Sequence, residues 1–207
     1  MAKLDNKGEI KSFFVRYIDS GYVIAITANP NRIGIDTYRD TNERIIELSG
    51  QMNRFVCIMN DLYFYNNYKK YGISGSGCKR ASMALRQQYS YGKDIGFSFV
   101  GVVEKANSDG AHIHALLRLP AYIMFDANLV AIMKEVYRTI VATGDLHIHP
   151  DKDNMGKEHK IAMLSCDAFI IDGAAGVADS GWIDYFLKNI LADGVSDETQ
   201  IIFCDKA

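Results

Sequence analysis

The sequence predicts an α+β domain built on one antiparallel sheet with helices packed against it. Two observations point there. Apolar, β-branched runs at residues 22–27, 97–103 and 112–117 read as strands, and stretches at 40–71, 126–143 and 181–191 carry apolar residues at helical spacing. The order along the chain is strand, helix, hairpin, helix, strands, helix, which suits a sheet covered by helices.

The elements follow in turn. Residues 1–20 mix charge with Phe13-Phe14-Val15 and read as an arm leading into the first strand. Residues 22–27 form that strand, which stops at Ala28-Asn29-Pro30-Asn31, a turn where proline removes a backbone donor. Thr27 and Asn29 therefore sit at a strand end, where functional groups are often displayed. The long helical stretch at 40–71 carries Ile45, Leu48, Met52, Phe55, Met59 and Leu62, with a crowd of tyrosines at its end and Asn66-Asn67 as a breaker. A glycine-rich connector at 72–78 leads to a short helical segment at 80–89. There Lys79, Arg80 and Arg86 make a modest basic patch near the aromatics. Asp126 is a fair N-cap for the helix at 126–143, and Gly144 ends it. Residues 146–150 read as an edge strand, 161–171 as one more strand, and 200–203 as a short strand in the tail.

A chain of 207 residues is enough for a single domain with a real core, here spanning 1–207 with 40–71 as an inserted helical stretch. There is no apolar run of about 18 residues, so no membrane partner is expected. The N-terminus lacks the apolar core of a signal peptide. Cys57, Cys78, Cys166 and Cys204 are scattered without a Cys-x-x-Cys pair, which suits reduced thiols in a cytoplasmic compartment. The net charge of −2 argues against a protein that lives on non-specific nucleic-acid binding. Any such contact must be local, metal-assisted or specific.

The candidate chemistry centres on residues 104–119. The runs at 97–103 and 112–117 are joined by Asn107-Ser108-Asp109-Gly110, a good tight turn. Alternate strand residues share a face, so His112 and His114 project together and Ile113 goes to the other side. Glu104 ends the partner strand, near enough to join them. Two imidazoles and a carboxylate make a plausible divalent-metal site with open positions. A second His-Ile-His, His147-Ile148-His149, competes for that role but runs into Pro150 and a polar loop. On the final helix Tyr185 and Lys188 share a face, opposite the apolar stripe of Ile183, Phe186, Leu187 and Ile190. A phenol is a poor nucleophile at neutral pH, and a divalent ion at the attacked phosphate offsets this. Attack by tyrosine gives a covalent intermediate that keeps the bond energy for a later joining step.

These residues carry a resemblance. His112-Ile113-His114 resembles the His-hydrophobic-His motif of the HUH endonucleases. Tyr185-Phe186-Leu187-Lys188 is similar to their Tyr-x-x-Lys helix, and residues 22–30 to their first strand-borne motif. Glu104 falls where replication-initiator members place the third ligand, and the order of motifs matches over roughly residues 20–192. The nearest group is the single-tyrosine rolling-circle initiators of small plasmids, phages and circular single-stranded DNA viruses.

The resemblance implies a central antiparallel sheet of about five strands with flanking helices, the HUH or RRM-like fold. It implies Mg²⁺ or Mn²⁺ held by Glu104, His112 and His114. Tyr185 would attack a phosphate of a single-stranded or hairpin origin, giving a 5′-phosphotyrosine and a 3′-hydroxyl, with Lys188 assisting. Thr27, Asn29, Arg32, Lys79, Arg80 and Arg86 are the expected DNA contacts. The spacing from His114 to Tyr185 calls for an inserted element, and Asn189 stands where many members carry an acid. No Walker motif follows, so unwinding falls to a separate helicase. The setting expected is a bacterial or archaeal cytoplasm, or a host nucleus for a virus. Transposases and mobilisation relaxases are sister activities. Two other classes stay open: a cupin-like or facial-triad metalloenzyme drawing a further histidine from His147 or His149, and a nucleic-acid-binding module without catalysis.

Overall fold

The computed structural model describes residues 7–19, 22–30, 41–74, 80–106, 110–123, 125–140, 144–148, 169–172, 183–184, 187–188 and 199–204. It is a mixed α+β structure with an antiparallel sheet. At the centre, β3 (Gly110–Arg118) lies between β1 (Tyr22–Pro30) and β2 (Ser98–Ala106). The β2–β3 pairing begins at Ala106↔Gly110, so the two strands form the expected hairpin, with residues 107–109 outside the described set. Two short strands lie end to end along the outer edge of β1. β4 (Gly144–Ile148) pairs with its second half and β5 (Phe169–Asp172) with its first. β6 (Thr199–Cys204) pairs with the outer edge of β2.

Among the described residues, the two sheet faces are covered unequally. Ile24, Ile26, Ala28, Phe99, Val103, Ile113, Ala115 and Leu117 face a thick helical layer. It is made of α2 (Thr41–Asn60), the π-helical turn Asp61–Tyr65, the short helices α3 (Tyr68–Tyr71) and α4 (Met83–Ser90), and α5 (Ala127–Ile140). α2 contributes Leu48, Met52, Phe55, Val56 and Met59, and α5 contributes Leu129, Met133, Val136 and Tyr137. Full burial of each such aliphatic or aromatic side chain stabilises by about 1.5–3 kcal/mol. The other face, carrying Val23, Ala25, Val100, Val102 and Leu116, is covered by Ile10, Phe14 and Tyr17 of α1 (Lys7–Asp19) and by Ile183 and Leu187.

Over residues 7–19, helix α1 corrects the expectation of an arm leading into the first strand. Its signal was in the sequence: Ile10, Phe14 and Tyr17 recur at i, i+4 and i+7, a single helical stripe with charged residues between. Helix α5 is described as far as Ile140, with residues 141–143 outside the described set, and Gly144 opens β4 rather than closing the helix. Asp126 does cap α5, its Oδ1 accepting from the Leu129 N–H at 2.9 Å. Asn66 takes a left-handed conformation (φ 59°) that closes the π-helical turn, the breaking role expected of it. Among the described residues, no helix is long and apolar enough to cross a membrane.

Buried polar side chains tie the layers together. Asn60 is 1 % exposed and grips the backbone just before β2, Nδ2 donating to the Phe97 carbonyl at 3.0 Å and Oδ1 accepting from the Phe97 N–H at 2.8 Å. Under the thinner cover, Tyr17 and Ser98 share a hydrogen bond of 2.9 Å, and the Arg118 guanidinium lies over the Tyr17 ring. Arg118 in turn pairs with Asp94. Asn60→Leu strands two buried backbone groups and is expected to destabilise by about 2–5 kcal/mol, read as a lower urea midpoint. Burial pushes the Tyr17 phenol well above its ordinary value of 10.0. Above pH 10 the unfolded chain releases a proton that the folded chain keeps. This contribution to stability is therefore full below pH 10 and falls as pH rises beyond it. Tyr17→Phe should flatten that alkaline fall in a pH series of urea melts; an unchanged slope would show that Tyr17 is not its source.

Candidate metal centre

Strand register sets out the expected ligands. Glu104 pairs with His112, and Val102 with His114, across β2 and β3. Across β3 and β1, Thr27 pairs with His114. Directly opposed residues share a face, so Glu104, His112, His114 and Thr27 belong to the thinly covered side. Ile113 is fully buried on the other side, beneath the helical layer. For Glu104 and His112 it is the backbone position that is described; for His114 and Thr27 the side chains are described as well.

His114 is 5 % and Thr27 7 % exposed, and Thr27 Oγ1 lies 2.9 Å from His114 Nδ1. With the proton on Nδ1, the ring donates to the Thr27 hydroxyl and Nε2 carries the lone pair that a metal takes. A second partner of this kind orients a metal-binding imidazole and sets its tautomer. Thr27, expected as a displayed DNA contact, is instead buried and holds the ring. Beneath it, Gly101 allows β2 and β3 to close up: a Cβ at that position would come within 2.6 Å of the His114 carbonyl oxygen.

The polar row continues past β1. Thr27 also pairs with His147, and Asn29 with Asp145, across β1 and β4. His114, Thr27 and His147 thus occupy one transverse row, the two histidine positions about 10 Å apart across two strand spacings. The sequence flagged His147 only as a weak competitor and did not single out Asp145. Alternation along Asp145-Leu146-His147 was the available signal, but the partner strand was not readable. Among the described residues, no three His, Cys, Asp or Glu side chains gather at one point.

The segment that carries Tyr185 reaches the same face. Ile183 and Leu187 are fully buried against Val23, Ala25, Val100, Val102 and Leu116, and the Leu187 N–H donates to the Ile183 carbonyl at 2.9 Å, a helical turn. Asp184 pairs with Lys11 of α1 at 2.6 Å. With both partners substantially exposed, that pair contributes about 0–1 kcal/mol. Lys188 is exposed. Tyr185, Arg32 and Lys79 lie outside the described residues. Arg80 and Arg86 are exposed, and they are not brought to the histidine row. Helix α4 (Met83–Ser90) belongs to the thick helical layer: Leu85 and Tyr89 pack on its core, and Tyr89 lies beside Gly96 near the start of β2. The Glu104–His112 pair is six residues further along β2, about 20 Å away.

No family model, curated protein or solved structure matches the chain. Thr27→Val keeps the size of the side chain and removes the hydroxyl that holds His114. It is expected to weaken Mn²⁺ binding by about 10–100-fold with the fold intact. Calorimetric titration checks this, and an unchanged affinity would remove Thr27 from the ring-holding role.

Proposed function

We propose that the chain is a metal-dependent nicking and joining enzyme for single-stranded DNA, of the HUH type and the single-tyrosine rolling-circle initiator kind. One observation carries the reading: the face that holds Glu104, His112 and His114 in register also receives the C-terminal helical segment through Ile183 and Leu187. The path β4–β1–β3–β2–β6 is taken as the five-stranded, RRM-like sheet of that family.

Two imidazoles and a carboxylate form a mixed donor set that suits Mn²⁺ better than Mg²⁺, which prefers oxygen ligands. When bound, the ion polarises a non-bridging phosphate oxygen and neutralises developing charge. Thr27 keeps the His114 ring in one orientation for that task. The Tyr185 oxygen attacks phosphorus as its proton departs, and the bond to the 3′ oxygen breaks. The products are a 5′-phosphotyrosine and, once the leaving oxygen takes up a proton, a 3′-hydroxyl. The reverse attack by a 3′-hydroxyl restores the phosphodiester and frees the tyrosine. Lys188 offers a cation to the phosphate charge. By sequence spacing Tyr185 and Lys188 share a helix face. A separate helicase supplies unwinding, and a cytoplasmic setting fits the scattered cysteines.

The row His114–Thr27–His147 favours a second reading, a metalloenzyme of facial-triad type in which β4 supplies a further ligand. One set of assays separates the two. Candidate origin oligonucleotides with Mn²⁺ should give a denaturation-resistant protein–DNA adduct, absent in Tyr185→Phe. His112→Ala should lower cleavage by about 100-fold or more, since the ion contributes several kcal/mol. An adduct that persists in Tyr185→Phe, or no adduct with any single strand, overturns the nicking reading. Loss of metal binding in His147→Ala together with no adduct would favour the second.

A further inference from the structure

Among the described residues, three exposed apolar side chains, Tyr65, Met83 and Tyr91, lie on or beside α4; Ile46 of α2 is a fourth on the helical layer. None of the eight residues of α4 is buried. Met83, Arg86, Gln87 and Ser90 line its outer stripe at i, i+3, i+4 and i+7, while Leu85 and Tyr89 face the core. Met83 is 77 %, Tyr91 75 % and Tyr65 45 % exposed. Tyr65 is the outer end of an aromatic ladder. Phe64, fully buried, stacks on Tyr89 at 4.2 Å, and Tyr89 meets Tyr65 at 6.0 Å. The Tyr65 hydroxyl bonds Ser90 Oγ at 3.2 Å, and Gln87 Nε2 lies 3.5 Å from the Tyr91 hydroxyl. These contacts hold the phenol ends and leave ring surface open to solvent.

The charge is equally local. Residues 79–93 hold Lys79, Arg80, Arg86 and Lys93 and no Asp or Glu, in a chain whose net charge is −2. Among the described ion pairs, none engages Arg80, Arg86 or Lys93. Open aromatic rings beside unpaired guanidinium groups are the combination that binds single-stranded nucleic acid without regard to sequence, bases stacking on rings and phosphates meeting cations.

We propose that the α4 surface is a second binding site for single-stranded DNA, with bases stacked on Tyr65 and Tyr91 and phosphates met by Arg80 and Arg86. It stands about 20 Å along β2 from the histidine row and on the opposite layer, so it holds the strand away from the cut rather than at it. The choice of DNA over RNA rests on the nicking reading above; the surface itself does not.

The test uses the full chain, a long oligothymidine and a short one that reaches only one site. Tyr91→Ala combined with Arg86→Ala should weaken the long oligonucleotide by about 10–100-fold in fluorescence anisotropy. The salt slope should also shrink by about 0.7 for each phosphate that the variant no longer neutralises. Urea melts should be unchanged, because both side chains are exposed. Adduct formation on the short, origin-containing strand should match the parent protein. Unchanged affinity and slope for the long strand overturn the proposal while leaving nicking intact. So does a surface that takes polyglutamate but not oligothymidine. If strand binding depends on the α4 residues and no strand ever yields an adduct, the nicking reading fails and this site stands.

Discussion

Strand register is the constraint on which everything else in the molecule turns. Side chains alternate between faces, so a slip of one residue between β1 and β3 would exchange every position. Ile113 would move to the thinly covered side, and His112 and His114 would be driven under the helical layer. The apolar set Ile24, Ile26, Ala28, Ala115 and Leu117 forbids this, because it is buried only in the observed register. The Thr27–His114 hydrogen bond adds a polar lock on the opposite face. The polar row is therefore held in place by hydrophobic burial on the side away from it.

The unequal cover of the two faces follows from the same pattern. Among the described residues, the thick layer of α2, the π-helical turn and α5 buries more apolar side chains than the thin layer does. The thin layer of α1 with Ile183 and Leu187 sits over the apolar half of the other face. The buried polar residues among those described are Thr27, Asn60, Ser98 and His114. Each has a partner: Thr27 and His114 have one another, Ser98 has Tyr17, and Asn60 has the Phe97 backbone. Burial without partners would cost about 1–3 kcal/mol per group. The pairs also fix where α1, α2 and β3 meet the central strands, so polar satisfaction and site geometry are one problem here.

The overall charge conceals a separation of surfaces. A weakly acidic chain keeps residues 79–93 free of acids, while the backbone positions of Glu104, His112 and His114 lie in register at the far end of β2 and β3. A strand of nucleic acid meeting both would be held by aromatic and cationic contacts at one end and by ligand chemistry at the other. Summed charge cannot report such a division; only the placement of α4 against the π-helical turn does.

The elements and their local pairing were legible in the sequence. β-branched runs, the Asn-Ser-Asp-Gly turn and the alternation through His112, Ile113 and His114 are short-range signals, and so is the Asp126 cap. The hairpin that sets Glu104 against His112 could be read for that reason. Helix α1 was readable too, in the spacing of Ile10, Phe14 and Tyr17, but intervening charges hid it. Which strands lie beside β1 was a matter for the closed sheet. No local pattern says that Thr27 faces His114 on one side and His147 on the other, since those pairings span most of the chain and depend on how the whole sheet comes together. The same long-range packing put Arg80 and Arg86 on a different surface from the histidines, because sequence proximity to β2 does not reveal which end or which layer a helix will occupy.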